Sequence, residues 1–115
     1  LSVLEKAGYH VIIPEGIGTL CCGLPFASKG YTRQADKKAA ELEKALMAAS
    51  RDGEYPILAD TSPCLYHMKE TLAESLALYE PVAFILEFLK KRLIFNRSDE
   101  KVAIHATCTT LKLGL

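Results

Sequence analysis

Short apolar runs alternate with longer stretches of helical period in this chain, and this alternation constrains its fold more than any other feature. The runs HVII at residues 10–13, PILA at 56–59 and VAIH at 102–105 are short and rich in apolar or β-branched residues, as buried strands are. More than a dozen residues separate them, which favours parallel pairing through right-handed crossovers. The sequence therefore predicts a small three-layer α/β domain, with a mainly parallel sheet of about three strands and flanking helices.

Three stretches between these runs carry clear helix signals. The first begins near Thr32 and ends before Gly53, and its apolar stripe consists of Ala35, Ala39, Leu42, Leu46 and Ala49. A second starts at Ser62-Pro63, which is typical of an N-cap and first helical residue, and runs through Met68 and Leu72 toward Leu76. A third opens at Glu80-Pro81, and its apolar face consists of Val82, Ile85, Leu89 and Leu93.

Size and charge limit the classes of function. The chain has 115 residues, of which 50% are hydrophobic, enough for a single domain over residues 1–115 with its own core. Its 14 basic and 14 acidic residues leave no net charge, so we expect no nucleic-acid partner. No apolar run approaches the ~20 residues of a transmembrane helix, and no secretion signal is visible. We therefore expect a cytoplasmic protein.

The four cysteines are the strongest functional signal of the chain. Cys21 and Cys22 are adjacent, and neighbouring thiols rarely pair with each other because a disulfide needs their Cβ atoms turned inward. Gly23 follows them and allows a positive φ and a close approach to a bound group. Cys64 follows the second predicted strand and Cys108 the third, so all four cysteines should meet where parallel strands end. Without a secretion signal, such cysteines are expected to be reduced ligands or reactive thiols.

The residue types leave several chemistries open. Thiolates bind iron–sulfur clusters and zinc, and a helix start at Cys64 should favour its ionised form. His67, three residues later, is a further candidate ligand, whereas His10 at the far end of the first strand is a weaker one. No complete zinc spacing such as paired CxxC motifs is present. His105 and Cys108 are spaced like a base and a thiol nucleophile, although alternation along the strand argues against that pairing.

Three motifs carry a family resemblance: CCG at 21–23, SPC at 62–64 and HATC at 105–108. In this order they resemble the cysteine-rich CCG domain family, which includes the cysteine-rich subunit of heterodisulfide reductase and the iron–sulfur subunit of glycolate oxidase. The segments CCGLPFASKGY, ADTSPCLYHMKETL and LYEPVAFILEFL are more similar still to the carboxyl-terminal iron–sulfur region of FAD-linked D-lactate dehydrogenases. The resemblance covers essentially the whole chain.

The resemblance implies a set of cluster ligands. A full family repeat has an upstream cysteine, a CCG and a CxxC, whose thiolates hold an iron–sulfur cluster such as the 4Fe-4S type. By this match Cys21, Cys22 and Cys64 are metal ligands, and Cys108 belongs to a second site. His67 stands where the family has the second cysteine of CxxC, which leaves the cluster type, or zinc in place of iron, open. The remaining cysteines of both repeats would lie outside the chain.

The function implied by the resemblance is electron transfer. We expect a fragment of a larger flavin and iron–sulfur oxidoreductase, inactive alone, whose N-terminal flavin domain or subunit binds FAD and oxidises a 2-hydroxy acid of the D-lactate or glycolate type. The cluster would pass electrons to a quinone or cytochrome acceptor, with the protein peripheral at the inner face of the membrane. No catalytic residue is assigned to this chain. Two alternatives stay open: a zinc-stabilised or metal-free module that docks subunits, and thiol–disulfide chemistry at a low-pKa Cys64.

Overall fold

The computed structural model describes residues 1–114. The helices are α1 (Ser2–Lys6), α2 (Leu24–Ala27), α3 (Thr32–Ala49), α4 (Ser62–Thr71), α5 (Pro81–Phe84) and α6 (Cys108–Lys112), and the strands are β1 (Ile57–Leu58) and β2 (Leu78–Tyr79). A 3₁₀ turn, Ile17–Thr19, precedes α2, and a π-helical turn, Ile85–Leu89, continues α5. Among these described helices, none combines the length and the apolar character that crossing a membrane requires.

The two strands pair in parallel, and α4 connects them. Ile57 lies opposite Leu78 and Leu58 opposite Tyr79, and the backbone N–H of Ile57 donates to the carbonyl of Ala77 at 2.8 Å. Successive residues of a strand face opposite sides, so Leu78 packs among residues of α3 and α4 while Tyr79 packs among residues of α1 and α5. Helices therefore flank the sheet on both faces, which confirms the predicted α/β class with a parallel sheet.

Over residues 1–114 the sheet has two strands rather than about three. The predicted strand over residues 56–59 is confirmed as β1, but those over 10–13 and 102–105 are wrong. Both runs lie largely exposed, with Ile104 90% accessible, and within residues 1–114 neither has a backbone hydrogen-bond partner. β-branched residues favour a strand only where a neighbouring edge is available to pair with them. The sequence did not predict β2, because two residues are too few to show a period.

The helix predicted from Thr32 is confirmed as α3, and the buried residues of its stripe are Ala35, Ala39, Leu42 and Leu46. The main core consists of Cys22, Ala39, Leu42, Leu46, Leu65, Met68, Leu72, Leu76 and Leu78. After α3 the chain reverses at Gly53, which has a φ of 89°. A Cβ there would lie 2.1 Å from the carbonyl oxygen of Ser75, so only glycine fits this reversal.

A second, aromatic cluster covers the other face of the sheet, and its rings are those of Tyr9, Tyr79, Phe84 and Phe88. The rings of Phe84 and Phe88 stack with centroids 4.7 Å apart, and Leu89 beneath them is 0% exposed. The helix predicted from Glu80-Pro81 begins there, and the Glu80 carboxylate accepts a hydrogen bond from the backbone N–H of Val82 at 2.7 Å. Val82 itself is exposed, so it does not belong to the buried face as predicted.

Candidate functional site

The Cys21-Cys22-Gly23 segment lies against the first turns of α3. Gly23 is the N-cap of α2 and has a φ of 89°. A Cβ at this position would lie 2.6 Å from the carbonyl oxygen of Ala35, so glycine alone lets the two backbones approach this closely. The predicted positive φ is confirmed, and the group that approaches the glycine is the backbone of α3.

The two adjacent thiols have different surroundings. Cys22 is 5% exposed and belongs to the main core, together with Ala39 of α3 and Leu65 of α4. Cys21 is half-buried, and its sulfur accepts a hydrogen bond from the backbone N–H of Gly23 at 3.5 Å. One thiol of the pair is therefore fixed by packing, while the other reaches the surface at the same place.

Cys64 lies in the first turn of α4, as predicted. Thr61, rather than Ser62, is the N-cap, and its side chain makes no capping hydrogen bond. Pro63 has no N–H, so few backbone amides of this turn are free to donate a hydrogen bond. The side chain of Thr61 accepts from none of them. Leu65, the next residue, is 0% exposed and anchors the helix start in the main core, against which Cys64 is partly buried.

The structure brings Cys21, Cys22 and Cys64 together. The pKa of Cys64 rises from its ordinary value of 9.0 to about 11; burial is the largest cause, and the neighbouring Cys22 thiol, then Cys21 and the Asp60 carboxylate, act in the same direction. This direction is opposite to the predicted effect of the helix start, because burial and the neighbouring thiols and carboxylate outweigh the partial charge of the helix dipole. The role of the three thiols as ligands stays a prediction.

An ion pair lies on α3, the helix against which the cysteine segment packs. Lys38 of α3 forms an ion pair with Glu41, with Nζ 2.8 Å from Oε2. The hydrogen bond and charge of Glu41 raise the pKa of Lys38, and Cys21 acts weakly in the same direction. Sequence reasoning did not single out Lys38. Its only signal was its position next to the buried stripe of α3.

Cys108 lies on a neighbouring helix. It is the exposed first residue of α6, and α6 packs on α4 with a hydrogen bond of 2.9 Å between the hydroxyls of Ser62 and Thr109. Ser62 lies two residues before Cys64, and Thr109 follows Cys108, so both cysteines belong to helix ends that touch. Assignment of Cys108 to a second site stays a prediction.

The three histidines differ in where they lie relative to the thiols. His67 is partly buried on α4, three residues after Cys64, and this spacing places the two side chains on the same side of the helix. His10 and His105 are exposed and lie outside helices and strands. Of the histidines considered in the sequence, His67 is therefore the one that the fold keeps near the thiol site.

The donor set fits a thiolate-bound metal centre in its chemistry. Thiolates are the ligands that iron–sulfur clusters prefer, and zinc also binds them. Within residues 1–114, no three His, Cys, Asp or Glu side chains form a group arranged to hold a metal ion. Binding would therefore require a shift of the clustered thiols or a further donor from beyond these residues.

Comparison with known proteins finds relatives about twice as long as this chain. The chain is 30% identical to Lactate utilization protein A of Bacillus pumilus and 28% identical to that of Bacillus licheniformis. Each alignment is 124 positions long and covers 98% of this chain and 50% of the relative. It is 39% identical to the uncharacterized protein YkgE of Escherichia coli over 67 residues, or 58% of this chain and 26% of that protein. No protein-family model and no solved structure matches.

These relatives agree in part with the resemblance drawn from the motifs. The name shared by the Bacillus proteins supports its link to lactate, whereas no family model supports the CCG domain itself. The chain spans about half the length of these curated relatives.

Proposed function

We propose that this chain is an iron–sulfur electron-transfer domain of an oxidoreductase that uses lactate or a similar 2-hydroxy acid. The observation that carries the proposal is the convergence of Cys21, Cys22 and Cys64, from two distant segments, onto one partly buried surface. Relatives named Lactate utilization protein A, similar over 98% of the chain, support the choice of substrate.

The three thiols that would bind the centre differ in how firmly the fold holds them in place. Cys22 is fixed in the main core, Cys64 is fixed through the buried Leu65 at the start of α4, and Cys21 lies in the loop at the surface. A bound cluster would supply one-electron transfer. The core keeps water from one side of the thiols, and the half-buried Cys21 leaves the other side open to a redox partner. His67 is the nearest histidine candidate to complete the ligand set.

Oxidation of the substrate is assigned to a flavin domain or subunit outside this chain. In this proposal FAD bound there would supply the two-electron oxidation of a hydroxy acid of the D-lactate or glycolate type, and a cluster held by Cys21, Cys22 and Cys64 would supply one-electron transfer toward a quinone or cytochrome acceptor. Cys108 would serve a second centre beside the first, since α6 packs on the same end of α4. Similarity to relatives of about twice this length supports a multi-part enzyme.

Metal analysis of the full-length protein tests the proposal. The protein is purified without oxygen, and iron, acid-labile sulfide and zinc are measured in the wild type and in a variant with Cys21→Ser, Cys22→Ser and Cys64→Ser. We expect iron and sulfide in the wild type and their loss in the variant, while Cys108→Ser serves as a matched control that retains the first centre. Zinc without iron would contradict the proposal and support a zinc-stabilised docking module. Absence of both metals would contradict any metal centre here.

The thiol–disulfide alternative is less well supported. It requires a thiol that ionises easily, because the thiolate is the attacking species. Burial and the neighbouring thiols instead raise the pKa of Cys64 to about 11. A thiol of this kind keeps its proton at neutral pH until a cation displaces it, which suits a ligand better than a nucleophile.

A further inference from the structure

The run KKRLIFNR at residues 90–97, called here the basic–apolar segment, directly follows the π-helical turn. Its basic residues are Lys90, Lys91, Arg92 and Arg97, and it contains no acidic residue. The chain has 14 basic and 14 acidic residues, so 10 basic and 14 acidic residues remain outside the segment. The positive charge of the segment is therefore a local concentration in a chain that is otherwise acidic.

The aromatic cluster holds one side of this segment. Leu89, the residue before it, is 0% exposed, and Leu93 within it packs against the same cluster. The backbone N–H of Leu93 donates to the carbonyl of Leu89 at 3.1 Å. The guanidinium of Arg92 lies over the ring of Tyr9, 4.9 Å from its centroid. These contacts fix the segment to the domain and leave its other side chains at the surface.

The outward side of the segment is both cationic and apolar. Ile94 is 95% exposed and Phe95 is 60% exposed, while Lys90 and Lys91 are exposed beside them. Leu86, in the preceding π-helical turn, is also 60% exposed. Within residues 1–114 no basic side chain of the segment forms an ion pair. Single exposed apolar residues are common on protein surfaces, whereas neighbouring ones flanked by unpaired positive charges indicate a binding surface.

We propose that the basic–apolar segment binds the surface of a membrane that contains anionic phospholipids. The ammonium groups of Lys90 and Lys91 would lie against the headgroup phosphates, while Ile94 and Phe95 enter the boundary between headgroups and acyl chains. Long basic side chains keep their charge in the headgroup region while their neighbours are buried. A nucleic acid would attract the same charges, but it offers an aliphatic side chain such as Ile94 no apolar phase to enter. The inference holds with or without a metal centre in this chain.

Vesicle binding by the full-length protein tests the role of the charges. Its partition coefficient is measured by sedimentation with vesicles of equal parts phosphatidylcholine and phosphatidylglycerol, and with vesicles of phosphatidylcholine alone. We expect binding to the anionic vesicles only, weakened by salt. One basic residue near such a surface contributes about fivefold in affinity, so Lys90→Gln with Lys91→Gln should lower the partition coefficient by about 20- to 30-fold. Lys37→Gln with Lys44→Gln, two exposed lysines of α3, is the matched control and should not.

A second pair of variants tests the apolar side chains. Ile94→Ser with Phe95→Ser should lower the partition coefficient by about tenfold or more, because both side chains leave water on binding. Ile12→Ser with Ile13→Ser is the matched control, since these residues are 50% and 61% exposed but lie outside the segment. Circular dichroism confirms that all variants are folded.

Fluorescence reports directly whether the segment enters the bilayer. The chain contains no tryptophan, so Phe95→Trp adds a reporter whose emission is taken as the difference from the wild type. We expect the emission of a water-exposed indole in buffer. Anionic vesicles should shift it to shorter wavelength, and lipids brominated on their acyl chains should quench it.

Three results would overturn the proposal. The first is no binding to anionic vesicles, or equal binding by Lys90→Gln with Lys91→Gln and by its control. The second is equal binding by Ile94→Ser with Phe95→Ser and by its control, together with displacement of the vesicles by a DNA or RNA oligonucleotide, which would show attraction to any polyanion. The third is an indole already in an apolar environment and unchanged by vesicles, which would show that a protein surface covers the segment.

Discussion

Replacement of Gly23 by alanine tests how the cysteine pair is held against α3. Gly23 has a φ of 89°, and the left-handed conformation costs about 1–2 kcal/mol for a residue with a Cβ. The new Cβ would also lie 2.6 Å from the Ala35 carbonyl oxygen, and overpacking of this kind adds about 1–3 kcal/mol. We therefore expect Gly23→Ala to lower the free energy of unfolding by about 2–5 kcal/mol.

Two other glycines separate the cost of the left-handed conformation from the cost of the close contact that the added Cβ makes. Gly30 has a φ of 81°, and within residues 1–114 no heavy atom beyond its two chain neighbours lies within 4 Å of the place that a Cβ would take. Gly30→Ala should therefore cost only the conformational part, about 1–2 kcal/mol. Gly53→Ala meets the Ser75 carbonyl oxygen at 2.1 Å, far from the cysteines in sequence, and should destabilise at least as strongly as Gly23→Ala. Urea unfolding followed by circular dichroism measures all three losses.

Alkylation under native conditions tests the local effect. In Gly23→Ala the cysteine segment should move away from α3, and Cys22, 5% exposed in the wild type, should react with iodoacetamide faster than in Gly30→Ala or Gly53→Ala. Equal destabilisation by Gly23→Ala and Gly30→Ala, with Cys22 equally protected in both, would refute the close approach to α3 as the reason for this glycine.

Three further predictions concern pH, reactivity and helix capping. The pKa of the Cys64 thiol is 9.0 in the unfolded chain and about 11 in the folded one, so the free energy of unfolding should fall as the pH rises between these values. We expect a loss of about 1–2 kcal/mol after solvent screening. Urea unfolding at several pH values should show this loss in the wild type and not in Cys64→Ser. Without metal at neutral pH, peptide mass spectrometry should find Cys108 alkylated before Cys22, because Cys108 is exposed and Cys22 buried; the reverse order would contradict the packing. Glu80→Ala should remove two capping hydrogen bonds, of 2.7 and 3.2 Å, and lower the free energy of unfolding by about 1 kcal/mol, as measured by thermal unfolding. Replacement of the exposed Glu87 by alanine should leave the stability unchanged.

The fold was predictable from the sequence where the signal is local. The stripe of α3 is confirmed because helical period depends on residues close in sequence. The start of α4 was predicted to within one residue, with Thr61 rather than Ser62 as the N-cap, but the helix ends at Thr71, before the predicted end near Leu76. The strands over residues 10–13 and 102–105 were wrong because composition shows what a sheet would accept, while pairing requires a distant edge. β2 was not predicted because its two residues are too few to show a period.

The site was predicted for a reason that is only partly right. Cys64 does follow a strand, but among the described residues 1–114 no strand precedes the cysteine pair. Cys22 reaches the site because Gly23 fits against Ala35 of α3. The pKa of Cys64 could not be predicted from its place at a helix start, since the burial that dominates it is a property of the assembled core.

The raised pKa of Cys64 connects the structure to the chemistry of metal binding. At neutral pH this thiol is protonated in the metal-free chain, so a cation that binds it must release its proton. Cadmium binding at pH 7.5, measured by calorimetry in buffers of different ionisation enthalpy, should therefore release about one proton fewer in Cys64→Ser than in the wild type. Cys108→Ser, which changes an exposed thiol on the neighbouring helix, should release the wild-type number. Equal proton release by Cys64→Ser and the wild type would show that Cys64 does not bind the metal, and the centre would then have to rest on the adjacent pair alone.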